Sequence, residues 1–268
     1  MKKILLSVLV VLGVLSFAAC SKKEDPNTVS VGTIAGPETE LMQVAKQVAK
    51  QKYGLNVKIV TFTDYTMPNQ ALADGNIDVN EFQHLPFLEA QVKAHGYDLV
   101  PVGKTFLYPM ALYSKKVKTL SALQDGAKIA IPNDPSNEAR ALLLLQKAKL
   151  ITLKSNVSIN ATPNDIAKNP KHFEFVELDA AQLPRSLGDV SLAVINTNYA
   201  IPAGLSPSKD ALFEESTDSP YVNIFVARKD DQNAKKVQEL VQAFQSEAVV
   251  AAAKKIFGDG AIAGFQVK

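Results

Sequence analysis

Strand-like and helix-like segments alternate along most of this chain, and this alternation restricts the fold more than any other feature. Short apolar runs rich in β-branched residues, at 29–31, 57–62 and 192–195, are typical of buried strands. Between them apolar residues recur at helical spacing, as from Leu41 to Val48. We therefore predict α/β sheets whose strands are joined by right-handed crossovers.

The alternating segments form two sets that are joined by two extended runs. The run at 106–113 leads from the first set to the second, and the run at 221–227 leads back. Two such connections predict two α/β lobes joined by a two-strand hinge, with a ligand cleft between them. We place lobe 1 at residues 29–110 plus 222–268 and lobe 2 at residues 111–221. The helical region at 233–257 is expected to break near Ser246.

Residues 129–140 predict a strand, a tight turn and the start of a helix. Asp134 before Pro135 suits a helix N-cap followed by proline at the first helical position. Helix amides at this point favour an anion, and an arginine can hold a carboxylate through two parallel hydrogen bonds. The candidate residues are Asn133, Asn137 and Arg140. One interpretation is a site for a ligand carboxylate; the other is a polar cap whose arginine pairs with a surface acid.

Aromatic and polar residues follow the other predicted strands. Ligands of open α/β sheets bind at the carboxyl ends of the strands. A short strand at 77–79 is expected to lead directly to Phe82 and His84. The remaining candidates are Tyr65, Tyr108 and Asn196. An aromatic wall facing a polar wall suits a small amphiphile such as an amino acid. Each residue also has a structural alternative, as core, hinge packing, hydrogen-bonded histidine or helix cap.

The N-terminus carries an export signal. Residues 1–19 combine Lys2 and Lys3, an apolar stretch too short to anchor the chain across a bilayer, and a small-residue cleavage site. Cys20, the only cysteine, lies at this junction and has no internal disulfide partner. Residues 17–20 resemble the lipobox of bacterial lipoproteins, so we expect lipidation of Cys20 and a tether at 20–28. The protein would then face the periplasm or the cell exterior from a membrane.

Several function classes are disfavoured by composition and motifs. The formal charge of +2 falls to zero when Lys2 and Lys3 are removed, and no dense basic cluster remains for nucleic acid. The common nucleotide, hydrolase and zinc-protease motifs are missing from the sequence. The three histidines are far apart and have no neighbouring cysteine, so we predict no metal site. We expect no cofactor and no enzymatic activity.

Seven segments of the chain resemble one family, the methionine-binding lipoproteins of bacterial ABC importers (MetQ or NlpA type). They lie at residues 62–69, 80–84, 108–111, 131–137, 183–185, 194–199 and 219–223. The resemblance covers nearly the whole mature chain in the same order and spacing. It implies a type II periplasmic-binding-protein fold and delivery of methionine to a membrane permease with its ATPase. One departure is Glu38, where a histidine commonly follows the Gly-Pro pair.

The resemblance also implies a role for each candidate residue. Arg140 would pair with the ligand carboxylate, with Asn137 or Asn133 nearby, and Asn196 would hydrogen-bond the amino-acid head group. The thioether side chain would be enclosed by Tyr65, Phe82, His84 and Tyr108. Three alternatives stay open: a site for another apolar amino acid or a methionine-containing dipeptide, an enzyme on the same scaffold, and a surface adhesin or sensor.

Overall fold

The computed structural model describes residues 25–157, 159–258 and 260–267. The predicted signal peptide, Cys20 and the first part of the tether lie outside the described residues. The strands in chain order are β1 (Thr28–Ile34), β2 (Asn56–Phe62), β3 (Val79–His84), β4 (Leu99–Leu107), β5 (Ala111–Tyr113), β6 (Lys128–Pro132), β7 (Thr152–Leu153), β8 (Ile166–Lys168), β9 (Glu174–Leu178), β10 (Leu192–Ile195), β11 (Phe213–Glu214), β12 (Val222–Arg228) and β13 (Ile262–Ala263). The α-helices are α1 (Pro37–Tyr53), α2 (Met67–Ala73), α3 (Leu85–His95), α4 (Pro135–Lys147), α5 (Leu183–Ser186), α6 (Thr197–Ala200), α7 (Pro207–Asp210), α8 (Lys235–Phe244) and α9 (Glu247–Phe257).

Two mixed sheets form the main framework of the fold. The large sheet has the strand order β13-β4-β12-β3-β1-β2, and the small sheet has the order β11-β5-β10-β6-β9. In the large sheet β1 runs parallel to β2 and β3, while β12 lies antiparallel between β3 and β4. In the small sheet β6 runs parallel to β9 and β10. The predicted α/β architecture is confirmed, and the returning run at 221–227 forms β12.

The helices bury their apolar faces against these sheets. Helix α1 packs against α8 and α9, with Leu41, Ala45 and Phe244 fully buried in one core with strand residues of the large sheet. Helix α4 buries Leu142 and Leu145 in a core with strand residues of the small sheet. Burial of each such side chain contributes about 1.5–3 kcal/mol. The predicted break in the C-terminal helical region is confirmed, because Ser246 stands at the N-cap of α9.

The strand predicted at 77–79 is wrong in position. The strand runs from Val79 to His84, so Phe82 and His84 lie within β3 and not after it. The apolar pattern that marks a strand in a sequence is missing here, because the polar residues of β3 are buried and hydrogen-bonded. Asn80 and Gln83, for example, both donate to Asn69 Oδ1, at 2.9 and 2.6 Å. The antiparallel partner β12 comes from far along the chain, so no local signal marked its pairing with β3.

The packing of β4 against α8 predicts a stability cost for one small substitution. A Cβ atom at Gly103 would lie 2.5 Å from Val241 Cγ1. Gly103→Ala should therefore lower the free energy of unfolding by about 1–3 kcal/mol, as overpacking of a filled core does. Gly188→Ala is the matched control because its Cβ would meet no atom within 4 Å. Urea unfolding followed by circular dichroism measures both; equal stability of the two variants would contradict this packing.

Candidate functional site

A narrow cavity is lined by residues from both sheets and the helices that follow their strands. It encloses about 350 Å³ of unfilled space, part of it open to solvent. An adjoining groove shares Tyr65 and Phe87 with the cavity, is also lined by Asn133, and encloses about 780 Å³. The elements around the large sheet contribute Glu38, Tyr65, Phe82, Gln83, His84, Phe87, Tyr108 and Asn223. The elements around the small sheet contribute Asn137, Arg140, Asn196, Thr197 and Asn198. Seven of the eight predicted ligand residues therefore meet in one place.

The exception is Asn133, which is exposed and lines the adjoining groove instead. The turn that carries it folds as predicted: Asp134 is the N-cap of α4, and its carboxylate accepts a hydrogen bond from the Asn137 amide at 3.0 Å. The chain's own carboxylate thus occupies the anion position at this helix terminus. Any ligand carboxylate in the cavity must be held by another group.

Arg140 is buried against a carboxylate that the sequence analysis missed. Its Nε donates to the two oxygens of Glu215 at 3.0 and 3.2 Å, and its Nη2 pairs with Glu215 and donates to the Tyr108 carbonyl at 3.0 Å. The guanidinium carbon lies 4.5 Å from the Tyr221 ring centroid. Burial acts to raise the pKa of Glu215, but the Arg140 charge and hydrogen bonds hold it below its usual value. The paired acid is buried, not on the surface as the cap interpretation expected.

Asn137 links the two sides of the cavity. Its Oδ1 accepts from Asn196 Nδ2 at 3.0 Å and lies 3.2 Å from His84 Nε2. His84 Nδ1 accepts from the Phe87 amide at 3.2 Å, so this network assigns the ring proton to Nε2. Burial and then the Arg140 charge lower the pKa of His84 to about 3. His84 is therefore a neutral hydrogen-bond donor to Asn137.

Three rings form the apolar wall of the cavity. The ring centroids of Tyr65, Phe82 and Phe87 lie 5.7–5.8 Å apart. The Tyr65 hydroxyl donates to Asn198 Oδ1 at 2.7 Å and so joins this wall to the residues that follow β10. Tyr108 stands apart from the three rings, because its ring packs on Phe257 at 4.8 Å. Phe87 is a wall residue that the sequence analysis did not name.

The cavity also has an acidic end, which the sequence analysis missed. Glu38 is 1% exposed, and its Oε1 accepts a weak hydrogen bond from Asn223 Nδ2 at 3.4 Å. Burial and then the neighbouring Glu81 carboxyl raise the pKa of Glu38 well above its usual value. Its unusual place after the Gly-Pro pair was the one available signal in the sequence. Asn223 lies inside β12 and ends the resembling segment 219–223, but no role was predicted for it.

Two features are absent from the described ranges of the chain. No helix there is both long and apolar enough to cross a membrane. No group of three or more histidine, cysteine, aspartate or glutamate side chains there could hold a metal ion.

Two α/β units that enclose a small cavity define a substrate-binding protein of the type II periplasmic class. Residues 29–265 match the family model described as NlpA lipoprotein, and the chain belongs to this family. It is 54% identical over 257 residues to the D-methionine-binding lipoprotein MetQ of Salmonella typhi, which covers 95% of each chain. This family description and this relative's name both call such proteins lipoproteins.

Solved structures agree with this assignment. A periplasmic substrate-binding protein of an ABC transporter from Coxiella burnetii is 66% identical, with a TM-score of 0.86 over 88% of this chain and 100% of that one. A nutrient-binding protein from Burkholderia cenocepacia bound to methionine is 52% identical, with a TM-score of 0.87 over 88% of this chain and 100% of that one. The fold expected from the sequence is confirmed.

The environment of His84 predicts that its ring does not titrate near neutral pH. Nitrogen-15 NMR of the imidazole should show the Nε2-protonated neutral form throughout about pH 5–8, because the pKa lies near 3. The His84→Gln spectrum assigns the resonance. A titration midpoint near the ordinary histidine value, about 6.5, would contradict the hydrogen-bond network described here.

Proposed function

We propose that this protein captures methionine in the cavity and delivers it to an ABC-type importer. The observation that carries the proposal is the composition of one buried cavity, which holds an arginine, unpartnered acceptor oxygens and a cluster of rings. These three features match the carboxylate, the ammonium group and the apolar side chain of an amino acid. We propose binding without chemical transformation, as in the substrate-binding proteins that the chain resembles.

Arg140 is the proposed partner of the ligand carboxylate. Its Nε and Nη2 are held by Glu215 and the Tyr108 carbonyl, while Nη1 has no hydrogen-bond partner within the described residues. A carboxylate in such a buried place needs a charged donor because its desolvation is costly. We propose that Nη1 supplies this donor and that the amide groups of Asn137 and Asn196 stand beside it.

The ammonium group is proposed to bind at the acidic end. Three oxygens of cavity residues are buried without a hydrogen-bond partner within the described residues: Glu38 Oε2, Asn196 Oδ1 and the Tyr108 hydroxyl. An ammonium group has three N–H donors and no acceptor, so it suits a set of acceptor oxygens. In this proposal Tyr108 serves the head group and not the thioether.

The methionine side chain is proposed to lie along Tyr65, Phe82 and Phe87, with His84 closing its inner end. Sulfur–aromatic contacts contribute about 0.3–1.5 kcal/mol each, and burial of a side chain of this size contributes about 1.5–3 kcal/mol. A carboxylate or ammonium on the ligand side chain would meet these rings with no partner and would be rejected.

The remaining proposals concern location and partners. We propose that residues 1–19 are removed, that Cys20 is lipidated, and that residues 20–28 tether the protein to a membrane of the cell envelope. We also propose the lobe division given above, with residues 29–110 plus 222–268 in one lobe and 111–221 in the other. The partner in this proposal is a permease with its ATPase, because the similar Coxiella burnetii protein is a periplasmic substrate-binding protein of an ABC transporter.

Isothermal titration against a panel of amino acids tests the ligand. After removal of any bound ligand by unfolding and refolding, methionine should bind more tightly than leucine, glutamate or lysine. The physical reason is that the ring wall suits a thioether, while a charged side chain pays desolvation without a partner. Tightest binding of a charged amino acid or a sugar would refute the proposal.

Substitution of Arg140 tests the carboxylate position. Arg140→Lys keeps the charge beside Glu215 but removes the fork, and it should weaken methionine binding by about 2–5 kcal/mol, which is roughly thirty-fold or more. Arg185→Lys is the matched control because Arg185 is exposed and lies outside the cavity. Equal methionine affinity of both variants would show that Arg140 does not contact the ligand.

A further inference from the structure

Behind the cavity lies a second buried carboxyl, Glu81 of β3, next to Glu38 of α1. The two side chains are 0% and 1% exposed. Glu81 Oε1 accepts a hydrogen bond from Thr105 Oγ1 at 2.8 Å, and Glu38 Oε1 accepts from Asn223 Nδ2. Each carboxyl keeps one oxygen, Oε2, that is buried and has no hydrogen-bond partner in the described part of the chain. Two buried carboxyl oxygens without partners, on residues whose charges act on each other, call for a proton or a cation.

The groups around this pair do not supply a positive charge. Within the described ranges neither carboxyl forms an ion pair, and the titratable neighbours that act on the pair are the hydroxyls of Tyr65, Tyr108 and Tyr199. Burial and then the neighbouring Glu81 carboxyl raise the pKa of Glu38 and outweigh the Asn198 side chain, which lowers it, and burial raises the pKa of Glu81 to about 7. Two carboxylates in a shared apolar site cannot both ionise without a large cost.

The arginine and the histidine of the cavity already have partners within the protein. Arg140 is neutralised by Glu215, and His84 is held as the neutral ring by Phe87 and Asn137. Neither can act as the counterion of the carboxyl pair. The counterion must therefore come with the ligand.

We infer that Glu38 and Glu81 form a dicarboxyl site that holds one proton in the free protein and releases it to solvent when the ligand's ammonium group binds. This inference rests on the proposed function and adds the proton that the site exchanges for the ligand's ammonium group. Glu38 contacts that group, while Glu81 does not line the cavity and acts through Glu38. Glu81 is thus a positioning residue that sets the charge of Glu38.

The inference has a thermodynamic signature. Binding that releases a proton becomes tighter as pH rises, by up to tenfold for each pH unit where one proton is released. Methionine affinity should therefore rise between about pH 6 and 8. The hydroxy-acid analogue of methionine has a hydroxyl in place of the ammonium, so it should bind without proton release and without this rise.

Calorimetry of ligand binding to the protein, in buffers of different ionisation enthalpy, directly counts the protons that binding releases. At about pH 7 the wild-type protein should release a substantial fraction of one proton per methionine bound and none per hydroxy-acid analogue bound. Because this comparison uses only the wild-type protein, it decides the inference even where a variant fails to fold.

Substitution separates Glu81 from other titrating groups. Glu81→Gln keeps an acceptor oxygen for Thr105 but removes the second carboxyl, so proton release should fall and the affinity should vary less with pH. Glu138→Gln is the matched control: burial also raises the pKa of Glu138 to about 7, but its side chain on α4 does not line the cavity. The control should keep the wild-type proton release.

The outcomes distinguish the two proposals. Methionine binding with no proton release, equal release with the hydroxy-acid analogue, or unchanged release in Glu81→Gln would overturn the inference and leave methionine capture standing. Failure of the wild-type protein to bind methionine at all would overturn the proposed function itself.

Discussion

The structure depends on a guanidinium buried where the chain crosses between its two sheets. Arg140 joins three segments: its own helix α4, the Tyr108 carbonyl after β4, and Glu215 before β12. A buried charge without a partner would cost several kcal/mol, so Glu215 is what allows the arginine to remain inside. The pair ties the crossing segments together and leaves Nη1 without a described partner, and in the proposed function this nitrogen is the donor to the ligand carboxylate.

The rest of the cavity also contains buried polar groups, and these differ in how completely they are hydrogen-bonded. Asn137 Oδ1 accepts from Asn196 Nδ2 and lies within hydrogen-bond distance of His84, so this side of the cavity is hydrogen-bonded except for Asn196 Oδ1, which has no partner in the described residues. At the acidic end, Glu38 and Glu81 each keep a buried oxygen that has no hydrogen-bond partner among the described residues. An incomplete network of this kind is costly in the free protein, and in the proposed function the ammonium group of the ligand completes it. Affinity and selectivity would then have the same source.

Features set by neighbouring residues, such as turns and helix caps, could be predicted from the sequence. Contacts between residues far apart in the chain could not. The turn before α4 was predictable because Asp134 and the following proline are a strong local signal. The position of β3 was not, because its buried polar residues break the expected alternation and its partner β12 lies far along the chain. Glu215 was missed for the same reason, being 75 residues from Arg140. Glu38 and Asn223 were given no site role from the sequence, although Asn223 ends one of the segments that resemble the family, and only the folded arrangement shows that they meet at the cavity.

The most direct measurement of the central claim is a crystal structure of the protein with methionine. We expect the methionine carboxylate within hydrogen-bond distance of Arg140 Nη1 and the methionine ammonium group beside Glu38. We expect the methionine sulfur among the rings of Tyr65, Phe82 and Phe87. Methionine bound in the reverse direction, with its thioether at Arg140, or bound only in the adjoining groove, would contradict the claim.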